Sequence, residues 1–132
     1  MERTLTVEEA IELTRKTPEK VAFDWKSDFC IPNDETKQGE FIKDLTAIAN
    51  ATVSSYGFIV YGVDPRKPDP VIGISQTYDD SKLQQLVNGK IDPRPEFLYY
   101  ELSTGVKTIA VLQVKPTGRQ PSILGKYAKG KS

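Results

Sequence analysis

The chain has 132 residues with 18 Lys/Arg, 18 Asp/Glu, a single cysteine and no histidine. That length supports one domain spanning residues 1–132 with a core of its own. The lone Cys30 excludes an internal disulfide, and without histidine a zinc site of the usual kind and any Ser-His or Cys-His catalytic pair are excluded too.

A bound metal would have to be a hard cation on Asp or Glu oxygens. No apolar run approaches the ~20 residues of a membrane span, and Met1-Glu2-Arg3 is not followed by the apolar core of a signal peptide. A cytoplasmic location with no membrane partner is therefore expected. The balanced charge hides an asymmetry: residues 1–101 hold 12 Lys/Arg against 18 Asp/Glu, and residues 102–132 hold 6 against none. The six are Lys107, Lys115, Arg119, Lys126, Lys129 and Lys131. Segregation of this kind suits an anionic partner, although a solvated tail is the more common explanation.

In chain order, Thr6-Val7-Glu8-Glu9 is a capping box opening an amphipathic helix from about Thr6 to Lys16, within an N-terminal unit of residues 1–17. Val21, Phe23 and Trp25 then alternate with Ala22, Asp24 and Lys26, the pattern of a half-buried strand that puts Asp24 and Lys26 on one face. Ile31 to Gly39 reads as a polar loop. Phe41, Ile42, Leu45, Ile48 and Ala49 recur at helical spacing within a helix from about Lys37 to Val53. Tyr56 to Val63 is a core strand, where Gly57 and Gly62 permit close backbone approach.

Asp64-Pro65 and the prolines after it end that strand, and Val71 to Ile74 is a candidate short strand beside it. Tyr78 to Gly89 predicts a helix capped by Asp79 or Asp80, and Ile91 to Pro95 breaks the chain again. Phe97 to Leu102 and Lys107 to Val114 form a hairpin, after which periodicity is lost in a basic C-terminal segment, residues 116–132. The order after the N-terminal helix, β-α-β-α-β-β, predicts an α/β (α+β) two-layer sandwich. Its mixed sheet has about four strands with helices packed on one face, leaving the other face as a working surface.

Several short patterns recur in order along the chain: Asp24-Trp25-Lys26, Ala47-Ile48-Ala49-Asn50, Tyr56-Gly57, Gly62-Val63-Asp64, Val71-Ile72-Gly73, Ile91-Asp92-Pro93 and Val114-Lys115-Pro116. This ordered set resembles the Schlafen Alba-like domain over about residues 17 to 132. The chain departs from the family in three places. A longer Ala51 to Gly57 segment replaces Gly-Gly after the Asn, Asp24 stands where Glu is usual, and the terminal Tyr127-Ala128-Lys129-Gly130-Lys131-Ser132 has Lys where Arg is expected.

The resemblance implies DNA or RNA as partner. Phosphates would be contacted by Lys107, Lys115, Arg119, Lys126, Lys129 and Lys131, with Tyr127 stacking on a base. This binding reading needs no cofactor. Some Schlafen-type domains cut RNA, and carrying their carboxylates over gives Glu19, Asp24 and Asp64 as catalytic groups holding Mg²⁺ or Mn²⁺, with Lys26 stabilising developing charge. If the chain is an enzyme, it would be a metal-dependent endoribonuclease. The plainer account makes Asp24 and Lys26 an exposed same-face pair and Asp64 a turn residue. A third reading is an interaction module of a transcriptional regulator that forms a homodimer through a hairpin edge or the open sheet face, with Phe97, Tyr99 and Tyr100 as anchors. Gly125 to Ser132 also fits the written phosphate-loop pattern, but that chemistry needs a following helix, so no nucleotide site is expected.

Overall fold

The computed structural model describes residues 3–18, 21–29, 35–52, 55–116 and 120–124. The first helix, α1 (Val7–Arg15), carries the expected capping box: the Glu9 amide donates to Thr6 Oγ1 at 3.2 Å, and Glu9 Oε1 accepts from the Thr6 amide at 2.9 Å. Strand β1 (Phe23–Lys26) is followed by helix α2 (Glu35–Ala51), which begins two residues earlier than the apolar spacing predicts. Strand β2 (Gly57–Tyr61) lies parallel to β1, with Asp24 opposite Ile59, Trp25 opposite Val60 and Lys26 opposite Tyr61. A parallel pair needs a long crossover, and α2 supplies it.

Helix α3 (Asp80–Val87) precedes a two-residue strand β3 (Ile91–Asp92) and the hairpin of β4 (Phe97–Ser103) and β5 (Thr108–Val114). The last strand, β6 (Ser122–Ile123), pairs antiparallel with β3. The main sheet has the order β1-β2-β5-β4 and is mixed, as expected. The β3–β6 ladder was not anticipated, because Pro93 and Pro95 mask so short a strand. Val71 makes only an isolated bridge to Val63.

Side-chain alternation divides the core. Ile59, Tyr61, Ala110, Leu112 and Val114 face Phe41, Ile42, Leu45 and Ile48 of α2 and Leu83 and Val87 of α3. On the opposite face, Val60, Val63, Ile109 and Val111 pack with Ala10 of α1 and with Leu5, Phe23, Trp25 and Tyr100. Burial of each large aliphatic among these contributes about 1.5–3 kcal/mol. The sandwich of sheet with α2 and α3 is as predicted, while α1 closes much of the face expected to be open. It is held there by polar bonds: Tyr100 Oη accepts from the Leu5 amide at 2.8 Å and donates to Gln113 Oε1 at 2.6 Å, and Gln113 Nε2 donates to the Arg3 carbonyl at 3.1 Å. Phe97 and Tyr99 are buried and Tyr100 half-buried, so these aromatics serve the core.

Two glycines make the close approaches possible. A Cβ on Gly57 would lie 2.1 Å from Thr52 Oγ1, a hydroxyl already donated to the Ile48 carbonyl at 2.7 Å. Gly62 has φ +89°, a backbone conformation that side chains other than glycine rarely adopt. There the Gly62 and Val63 amides both donate to the Lys26 carbonyl, at 2.8 and 3.3 Å, and the Ile72 and Gly73 amides converge on the Gly62 carbonyl.

The outer rim of β4 is covered by side chains of α3. Asp80 Oδ1 accepts from the Tyr99 amide at 2.8 Å, and Gln84 Nε2 donates to the Phe97 carbonyl at 2.7 Å. These bonds use backbone groups that would otherwise be available for pairing with another chain. Replacing Asp80 with Ala leaves the Tyr99 amide without its partner, and urea denaturation should show a loss of about 1–3 kcal/mol.

Candidate functional site

The β1–β2 register places Asp24, Lys26 and Tyr61 on the face covered by α2. Lys26 Nζ stands 3.7 Å from Asp24 Oδ2 and 3.8 Å from Asp44 Oδ1. Asp24 Oδ1 also accepts from the Trp25 amide at 2.8 Å. Asp44 comes from α2, and its burial raises its pKa above the ordinary aspartate value despite the nearby ammonium. Tyr61 is buried, and among the described residues its hydroxyl has no hydrogen-bond partner.

Asp64 is engaged elsewhere. Its Oδ1 accepts from the Arg66 amide at 3.0 Å and from Arg66 Nε at 2.9 Å, and its Oδ2 accepts from Arg66 NH2 at 3.1 Å. The guanidinium of Arg66 lies 5.2 Å from the ring centroid of Trp25, a residue that packs on the α1 side of the sheet. Asp24 and Asp64 thus serve different faces.

Glu19 lies outside the described residues, so the carboxylate set of the ribonuclease reading is not assembled in full. Among the described residues no three His, Cys, Asp or Glu side chains come together. Lys26 Nζ lies within 4 Å of both Asp24 and Asp44, and Asp64 is clasped by its own arginine. The described members of the set do not fit a shared metal, and no catalytic step follows from them.

Lys107 and Lys115 flank β5 at opposite ends. At about 3.3 Å per residue their backbones are about 26 Å apart, so they do not form one compact patch. Lys115 lies 3.8 Å from Glu96. Lys107 rests its stem on Gly73 and donates to the Val71 carbonyl at 3.2 Å. It borders an open groove of about 940 Å³ that also takes in Ser27, Asp28, Ser75, Gln76 and Thr77. The Asp28 carboxylate in this groove accepts from the Ser75 amide and hydroxyl, each at 2.8 Å. Arg119, Lys126, Tyr127, Lys129 and Lys131 lie outside the described residues.

Sequence reasoning missed Asp44, Tyr61 and Arg66. A signal for Asp44 was present: Phe41, Leu45 and Ile48 define the buried stripe of α2, and position 44 lies beside that stripe at i+3.

The sequence profile of the family described as Schlafen, AlbA_2 matches residues 19–132. The chain belongs to this family. No curated protein matches it. Among solved structures, this Schlafen AlbA_2 domain is similar to the DIP2311 protein from Corynebacterium diphtheriae, with 15% identity and a TM-score of 0.51 over 82% of this chain and 20% of that one. The chain therefore spans about a fifth of that protein. It is also similar to the N-terminal domain of a Nitrosomonas europaea protein named as related to the ATP-dependent DNA helicase RecG. That likeness has 17% identity and a TM-score of 0.50 over 88% of this chain and 78% of that one. At such identities the likeness concerns the fold. No helix among the described residues is long and apolar enough to cross a membrane.

The Asp64–Arg66 clasp carries a pH dependence. Hydrogen bonds from the Arg66 side chain and amide hold the Asp64 carboxyl below the ordinary aspartate value of 3.8. A carboxyl that is more acidic folded than unfolded adds stability above its unfolded pKa, and that stability fades as pH falls through the folded one. Asp64→Asn should therefore lower the thermal midpoint at pH 7, and the difference from wild type should shrink as pH drops below about 4.

Proposed function

We propose that this Schlafen AlbA_2 domain binds nucleic acid through the phosphate backbone, with Lys107 at the groove and the basic segment 116–132 supplying the cations. The observation that carries the reading is the charge segregation, six cations and no acid over residues 102–132, in a chain of this family. The groove beside Lys107 adds hydroxyls from Ser27 and Thr77, groups that commonly donate to phosphate oxygens. The Asp28 carboxylate beside it is occupied by Ser75. The sequence carries no recognised base-reading motif, so the recognition proposed rests on backbone and shape. The likeness to a domain of a RecG-related protein agrees with a role next to nucleic acid.

The separation of Lys107 and Lys115 gives the reading a length requirement. A span of about 26 Å corresponds to about eight base pairs of duplex rise. Fluorescence anisotropy with single- and double-stranded DNA and RNA, titrated with salt, tests both points. If six phosphates are contacted, log affinity should fall against log salt with a slope of roughly −4 to −5. Lys107→Glu should reduce that slope, and duplexes much shorter than about eight base pairs should bind more weakly. An affinity indifferent to salt would overturn the proposal.

A further inference from the structure

The two edges of the main sheet are finished differently. On the β4 side, Asp80 and Gln84 of α3 take up an outward amide and an outward carbonyl. On the other side β1 is the outer strand, and among the described residues no strand pairs with its outward edge. The ladder to β2 uses even-numbered residues: the Phe58 amide donates to the Ala22 carbonyl at 2.9 Å and the Gly62 amide to the Lys26 carbonyl at 2.8 Å. By strand alternation the backbone groups of Trp25 therefore point away from β2. The Trp25 amide is closed by a bond of 2.8 Å to Asp24 Oδ1 of its own strand, a local partner that another carbonyl can replace.

Charges of one sign on such an edge would repel a second copy. Here they are opposite in sign and two residues apart. Asp24 and Lys26 share the α2 face, with side chains 51% and 40% exposed. Lys26 Nζ keeps 3.7 and 3.8 Å from Asp24 and Asp44, beyond the roughly 2.7–2.9 Å of a charge-assisted hydrogen bond, so neither contact holds it tightly. When two antiparallel copies of β1 meet with Trp25 opposite Trp25 on a twofold axis, each Asp24 faces the Lys26 of the other copy. That is the non-hydrogen-bonded position of an antiparallel ladder, where Cα atoms come within about 4.5 Å and side chains are closest. The next registers that keep the faces matched set Asp24 against Asp24 or Lys26 against Lys26. The charges thus select one register, and it is isologous.

We propose that the outer edge of β1 is an association surface for a second copy of this chain, joined antiparallel about Trp25 with reciprocal Asp24–Lys26 pairs, so that two four-stranded sheets become one. The contact is not the dimer expected from the sequence, since α3 occupies the hairpin edge and α1 covers much of the open face. The paired stretch is short compared with the roughly 20–30 residues a side of a stable interface, so the association is weak and reversible. It stands independently of the nucleic-acid reading, because none of its groups belongs to the proposed phosphate contacts.

The test is sedimentation velocity of the full 132-residue chain without nucleic acid, from micromolar to millimolar protein, alongside the emission of Trp25, the chain's one tryptophan. Wild type should pass from monomer to dimer, and the Trp25 emission should shift over the same concentration range. Asp24→Lys and Lys26→Glu should each weaken association by roughly tenfold, since two attractive cross-strand pairs become repulsive. An equimolar mixture of the two variants should associate again, because their charges are complementary between the variants and not within them. Circular dichroism checks folding, and if one variant is not folded, the other and the Trp25 emission decide. The proposal is overturned if wild type stays monomeric at millimolar concentration, or if a folded variant associates as tightly as wild type. It is equally overturned if the mixture of folded variants associates no better than either alone, or if a dimer forms with the Trp25 emission unchanged.

Discussion

The parallel ladder between β1 and β2 is the constraint from which the rest of the molecule follows. Parallel strands cannot be joined by a tight turn, so the chain between them must cross over one face of the sheet, and α2 is that crossing. Its register also decides which side chains meet. With Lys26 opposite Tyr61, every second residue of β1 turns toward α2, and Asp24 and Lys26 are delivered to Asp44. A shift by one residue would send Trp25 to the helix side and both charged groups to α1.

Turns before and after β2 fix the ladder in place. Thr52 folds back on the last turn of α2 so closely that only glycine fits at position 57, and the bend at Gly62 lets two successive amides share the Lys26 carbonyl. That bend separates the electrostatics of the two faces. Before it lies the lysine with its two aspartates beneath α2, and after it lies the carboxylate that Arg66 clasps near Trp25.

Much of this architecture was legible in the amino-acid sequence. The period of two over Val21 to Lys26, the period near 3.6 over Phe41 to Ala49 and the β-branched run of Phe58 to Val63 each carry a local physical signature, and so does the Thr6 to Glu9 cap. The β3–β6 ladder was not legible, because two residues followed by Pro93 and Pro95 hold no periodicity and pair with a segment about 30 residues away. Nor was the position of α1, since an amphipathic helix does not announce which face of a sheet it will cover. The site was only half visible for a related reason. Asp24 and Lys26 are neighbours in sequence, but Asp44 and Tyr61 join them through tertiary structure, and the partner of Asp64 proved to be Arg66, two residues away, rather than the distant carboxylates. The cations of the hairpin illustrate the same limit: Lys107 and Lys115 are close in number yet sit at opposite ends of an extended strand.

The bonds that α3 makes to β4 have a consequence for how this molecule fails. Because the helix itself satisfies the margin of the sheet through Asp80 and Gln84, fraying of that single short helix would at once bare a strand able to recruit other chains. Protection of the β4 edge is thus tied to one eight-residue element rather than to the strength of the whole core.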